Sequence, residues 1–217
     1  MEREVQSAQQ FIRSFVTRRI SKIQACYLGS TRHKFGARQL AMLRHAITKN
    51  PGSDPDIWMI EFGELPENFV GNGPDASMAE NAVHAALTLY SVHQQSQTIE
   101  MHQVGREHSL GSAIKQLILK NQSKYQNLED GQMPRRFSAL ITAESFAEVM
   151  HYARQLIQQL RAEGIPLDYG LLAQQFYDLQ DPYRADGVRL AWGRDFARAP
   201  IGINSEAKNM AERQCNA

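Results

Sequence analysis

The sequence predicts an all-α protein, a helical bundle of two packed lobes, and three observations carry that prediction. Apolar residues recur at spacings of three and four along most of the 217-residue chain, the period of an amphipathic helix. Helix-start signals stand ahead of such runs, as at Ser145 with Glu148 three positions on and at Asp168. Strand signals are missing: no alternating runs are joined by a tight turn, and neither strand–helix–strand alternation nor a fixed-period repeat occurs. The expected organisation is an N-terminal helical lobe over 1–105 with a loop-rich insert at 50–76, a C-terminal helical bundle over 106–202, and a flexible polar tail over 203–217.

The elements follow in order. Val5, Phe11, Ile12, Phe15, Val16, Ile20 and Ile23 mark a first helix over 5–24. Gly29 and Gly36 bracket a basic loop, Ser30–Lys34, and a second helix is expected from about Ala37 to Thr48 with Leu40, Leu43 and Ile47 on one stripe. The turn cluster Asn50–Pro55 and the breaker Gly71–Pro74 enclose a long connection or lid-like insert. Within it Ile57–Phe62 fits a short strand or a short helix equally well. A third long helix runs from about Asp75 through Ala82, Ala86, Leu89 and Tyr90 to a glutamine-rich end at His93–Gln97.

After a break at Gly105–Ser109, Leu110–Leu119 resumes helix and Asn121–Gln132 reads as polar loop. Pro134 occupies a first helical position, where its missing N–H costs nothing. The helix capped at Ser145 carries Val149, Ala153, Leu156, Ile157 and Leu160 and ends at Gly164. Asp168 caps the next, which should bury Leu172, Phe176 and Leu179; Asp181-Pro182 stops it. Val188, Trp192 and Phe196 share one face of the last helix.

A formal net charge of +1 means that any basic surface must be local and offset by acids elsewhere. Cys26 and Cys215 lie too far apart, one in the tail, for a disulfide framework, and reduced thiols are expected. Neither a signal peptide nor an apolar run of membrane-spanning length is present, so a soluble, cytoplasmic protein is expected.

Constellations for catalysis do not assemble on paper. The Gly29–Gly36 loop lacks the Lys-Ser or Lys-Thr ending of a phosphate loop. Asp56 and Glu61 approach a restriction-type nuclease pattern, but Gly63 stands where the lysine belongs. His84, His93 and His102 are nine apart, so neighbours on a helix would face opposite ways. Structural or phosphate hydrogen bonds suit these histidines better than a metal, although His102 and His108 flank a glycine break and could meet. No metal and no cofactor are expected.

Basic stripes are more informative. Lys34, Arg38, His45 and Lys49 fall within about 60° of arc if a helix begins at Lys34. No acid occurs from Arg32 to Asn50, whereas a solvated helix face usually mixes signs. This leaves two readings open, a nucleic-acid face and an ordinary basic surface. Arg135 and Arg136 begin a helix, where the dipole favours anions and guanidinium forks suit phosphate. Arg154 and Arg161 lie seven apart on the polar face of the Ser145-capped helix, and Arg189, Arg194 and Arg198 add a third strip, tempered by Asp186 and Asp195. Aromatics do not interleave with these runs, so backbone contact without sequence readout is the expectation.

One ordered set of segments resembles a known family. His93-Gln94-Gln95-Ser96, Met101-His102, Leu110–Ala113, Arg135-Arg136-Phe137, Leu167-Asp168-Tyr169 and Val188–Phe196, with Ala37–Arg44 and Trp58 upstream, are similar to the CasB small subunits of type I-E CRISPR Cascade complexes. The resemblance covers roughly 10–200. It implies a two-lobed helical fold without catalysis and two copies side by side. It implies as partners the backbone and large subunits, guide RNA, and the target and displaced DNA strands. It places nucleic-acid contact on Arg38, Arg44, Arg135, Arg136, Arg154 and Arg189; the stripes themselves add Arg32, Lys34, Lys49, Arg161 and Arg194. A purely structural helical adaptor, and a metal enzyme built on His93, His102 or His108, are the competing readings.

Overall fold

A computed structural model describes residues 7–121 and 135–198. Val5, Pro134, nearly all of the polar stretch 121–132, Cys215 and the tail 203–217 fall outside those residues. Among the described residues the fold is all-α: nine α-helices, three short 3-10 turns and one isolated parallel bridge, His102 with Leu167.

Helix α1, Ala8–Leu28, opens on a reciprocal capping box in which the Ser7 hydroxyl accepts from Gln10 N and Ser7 N donates to the Gln10 amide oxygen. It buries Ile12, Phe15, Val16, Ile20 and Ile23. Helix α2 spans His33–Ala46 and so starts four residues earlier than the glycine pattern suggests. Gly36 is a helical residue, not a loop boundary: a β-carbon there would lie 2.4 Å from Tyr27 N, so glycine is what lets α1 and α2 meet backbone to backbone.

Residues 50–76 do not stand off as a lid. They form a 3-10 turn at Pro55–Ile57, a four-residue helix α3 at Trp58–Glu61 and a second 3-10 turn at Glu67–Phe69. Ile57, Ile60 and Leu65 are buried in the common core. Three-apart apolar residues dock this segment, which is why the ambiguous Ile57–Phe62 run resolves as helix.

Helix α4, Met78–His93, begins with a second capping box, Ser77 with Glu80, and is buried nearly all round. It is the central helix, packed by α1, α2, α7 and α8. Then come α5, Leu110–Lys120; α6, Arg135–Ile141; α7, Phe146–Ala162; α8, Tyr169–Leu179; and α9, Pro182–Arg198. The α7 box is half formed: Ser145 Oγ accepts from Glu148 N, but the Glu148 carboxylate takes Glu144 N instead of Ser145 N. Pro182 starts α9 directly, leaving a two-residue joint after α8. Buried residues from Ile12 on α1 to Trp192 on α9 form one connected cluster.

Helix α5 crosses α9 at Gly111, where a β-carbon would sit 2.2 Å from Trp192 O and 2.7 Å from Phe196 N. Gly111→Ala should therefore force the two backbones apart and cost on the order of 2 kcal/mol. A urea midpoint unchanged by this substitution would show that the crossing can relax.

Candidate nucleic-acid interface

Positive charge concentrates at the N-terminal hairpin. From Val5 to Ser53 the sequence holds no Asp or Glu, but carries Arg13, Arg18, Arg19, Lys22, Arg32, Lys34, Arg38, Arg44 and Lys49. Folding uses four of these locally. Arg13 pairs with Asp168 at 3.0 Å, Lys49 with Asp54 at 2.8 Å, Arg19 lies 3.7 Å from Glu64, and Arg44 Nη1 donates to Ser91 O at 3.3 Å. Lys49 lies beyond the end of α2, so the stripe expected through it stops at His45.

Lys34 and Arg38 on α2 and Arg18 and Lys22 on α1 are exposed, with no ion pair or hydrogen bond among the described residues. Arg32 lies over the Phe35 ring at 4.7 Å with its charge toward solvent. Sequence reasoning missed Arg18 and Lys22. The signal that reveals them is the acid-free run, which begins upstream of Arg32 at residue 5.

The remaining expected residues lie on α2, α6, α7 and α9. Arg44 from α2 and Arg161 from α7 converge on the C-terminal end of α4. Arg161 donates to Val92 O at 3.4 Å and to the Gln95 amide oxygen at 2.9 Å, beside Arg44 on Ser91 O. Helix-end carbonyls attract cations, which explains this meeting. Burial lowers the Arg44 pKa, and the Arg161 charge lowers it further. Arg154 lies half-buried two turns before Arg161.

Arg135 is exposed at the start of the seven-residue α6, and Arg136 Nε donates to the Gln155 side chain of α7 at 2.7 Å. Arg189 is turned inward: it donates to Ile141 O and Ala143 O beyond α6 and to Asp186. Arg194 is exposed on α9. The structure therefore links α2, the end of α4, α7 and α6 through cationic contacts, while Arg189 serves as a clamp on the α6 end.

His84, His93 and His102 are interior. His84 Nδ1 bonds the Glu61 carboxylate, which is wholly buried, so Glu61 does not face solvent with Asp56. His93 Nδ1 lies 2.9 Å from the Tyr169 hydroxyl, and His102 Nδ1 accepts from Tyr169 N at 3.1 Å. Gln24 bonds both His102 N and His102 O, and receives the Tyr90 hydroxyl along with Gln94. Burial lowers the pKa of His93 to about 3, against the pull of the Ile165 carbonyl and reinforced by Arg161; burial lowers His102 too. Among the described residues no three His, Cys, Asp or Glu side chains are grouped to hold a metal, and no helix is long and apolar enough to cross a membrane.

Fold and surface thus define an all-helical bundle with a cationic, acid-free hairpin and a buried polar hub. A model of the CRISPR-associated protein Cse2 family matches residues 39–196, and the chain belongs to that family. Among solved structures it is similar to CasB from Thermobifida fusca, at 32% identity and a TM-score of 0.66 over 86% of this chain and 97% of that one. A Cse2 family CRISPR-associated protein from Thermus thermophilus shares the fold, at 19% identity and a TM-score of 0.55 over 88% and 98% of the two chains. Among curated proteins no significant match is found. The resemblance to CasB is borne out.

Proposed function

We propose that this chain is the non-catalytic small subunit of a type I-E Cascade complex, gripping nucleic-acid backbone without reading sequence. The observation that carries this reading is the acid-free α1–α2 hairpin, whose exposed Arg18, Lys22, Lys34 and Arg38 have no ion pair among the described residues of a Cse2 family protein. Unpaired cations release counterions when they meet phosphates, and guide pairing supplies sequence recognition elsewhere in such complexes. The displaced DNA strand and the guide–target duplex are the ligands this surface suits, and steadying the R-loop in the cytoplasm is the role that follows. The backbone and large subunits and a second copy of the chain are the protein partners.

Arg32, Lys34, Arg38, Arg135, Arg136, Arg154 and Arg194 are the contacts we assign to phosphate. Arg44, Arg161 and Arg189 bond backbone carbonyls, so their contribution is to hold the surface in shape. That same use of guanidiniums favours the helical adaptor as a second reading for those three residues.

Reversing Arg38, Arg135 and Arg136 to Glu separates the readings. The assembly should still form and should lose DNA affinity by on the order of tenfold or more, with a salt slope shallower by about 0.7–0.9 per phosphate contact removed. Failure of assembly with these variants would favour the adaptor, and DNA binding indifferent to salt would sink the backbone-contact reading.

A further inference from the structure

An open groove of about 530 Å3 lies between α1, α2 and α3. Ile23 and Ile60, both buried, form its floor; Cys26, Phe35 and Met59 line its sides. Phe35 is 48% exposed and Met59 is 77% exposed, so two large apolar side chains of the lining stand in water. Arg19, Lys22 and Arg32 also line the groove, and no acid among the described residues does. An apolar surface of this kind with a charged rim marks an interaction site.

We propose that this groove receives an amphipathic helix of a partner protein, aliphatic on its buried face and flanked by Asp or Glu. The proposal rests on the reading that the chain works within an assembly. Volume fits: pockets of about 300–1,000 Å3 take ligands the size of several side chains. Chemistry fits as well. A helix lays its apolar residues into such grooves at three-and-four spacing, and the flexible thioether of Met59 adapts to their shape. Arg19 is already matched by Glu64 at 3.7 Å, but Lys22 and Arg32 have no ion pair among the described residues, and they select acidic flanks and repel basic ones.

Single-stranded nucleic acid suits the groove less well. Bases stack on open aromatic faces, whereas Phe35 is the one aromatic ring in this lining and Arg32 already covers one side of it. The rest of the floor is aliphatic, and offers little that pairs with a base edge.

The test places the photocrosslinker p-benzoylphenylalanine at Met59 in the full chain, produced in cells that make the whole assembly. The assembly is then purified through a tag on another subunit, treated with nuclease, and the crosslinked segment sequenced by mass spectrometry. The expected product joins Met59 to a helical segment of a different protein that carries acids beside Leu, Ile, Met or Phe. Adding Lys22→Glu and Arg32→Glu should lower its yield on the order of tenfold, with helical circular dichroism unchanged. A crosslink to nucleic acid, to a second copy of this chain, to a segment without acids, or to nothing overturns the proposal. If the assembly purifies intact but Met59 stays uncrosslinked, the groove proposal alone fails. If no assembly purifies, the subunit reading fails and takes the groove proposal with it.

Discussion

Replacing Asp168 with alanine is expected to cost about 2–4 kcal/mol, because it leaves two backbone donors without their buried acceptor. The Asp168 side chain is fully buried and has three tasks. It caps α8 by accepting from Leu171 N at 2.9 Å, pairs with Arg13 of α1 at 3.0 Å, and accepts from Gly105 N at 3.2 Å. Gly105 has φ of 148°, in the region that favours glycine. Alanine would strand Leu171 N and Gly105 N and leave Arg13 to water alone. Domains of this kind have about 5–15 kcal/mol of stability in total, so the loss is a large share of it. Asn keeps one acceptor and the cap, and should cost only about 1–2 kcal/mol. Urea unfolding of both variants checks the ranking; equal midpoints for Ala and Asn would mean that the retained acceptor and cap contribute nothing.

Acid is expected to destabilise the protein well above the pH at which carboxylates titrate. Native His93 is neutral because burial has lowered its pKa to about 3, whereas in the unfolded chain it protonates near its ordinary value of 6.5. Between these limits the unfolded state binds the extra proton, so stability rises with pH and is lost as pH falls through 6.5. The slope from this residue is about 1.4 kcal/mol per pH unit, or about 2 kcal/mol by pH 5. His102, lowered by burial as well, adds in the same direction. His93→Gln retains an acceptor for the Tyr169 hydroxyl and should flatten part of this dependence. Equal stability of the wild type at pH 7 and pH 5 would contradict a neutral, buried His93.

Helical class was legible because three-and-four spacing survives any arrangement of neighbours: Val149, Ala153, Leu156 and Leu160 point one way along α7 whatever they pack against. Glycines were not legible in the same way. Gly36 reads as a breaker in one dimension, yet it lies inside α2 because Tyr27 of α1 needs the space of its missing side chain. Lys49 fell off its stripe because α2 ends at Ala46 and Asp54 captures the ammonium.

Part of the segments that carried the resemblance is interior. His93, Gln94, His102 and Tyr169 join one polar hub with Gln24 and Tyr90, linking α1, α4 and α8. The sequence by itself determined the helical class, the caps at Ser145 and Asp168, and the run without acids, because each is a local property of neighbouring residues. Only the tertiary structure decided which cations remain free. Arg44, Arg161 and Arg189 are drawn to helix-end carbonyls contributed by distant segments, while Lys34 and Arg38 are left to solvent. An arginine's partner is set by whichever acceptor the fold brings within about 3 Å, and no spacing along the chain encodes that distance.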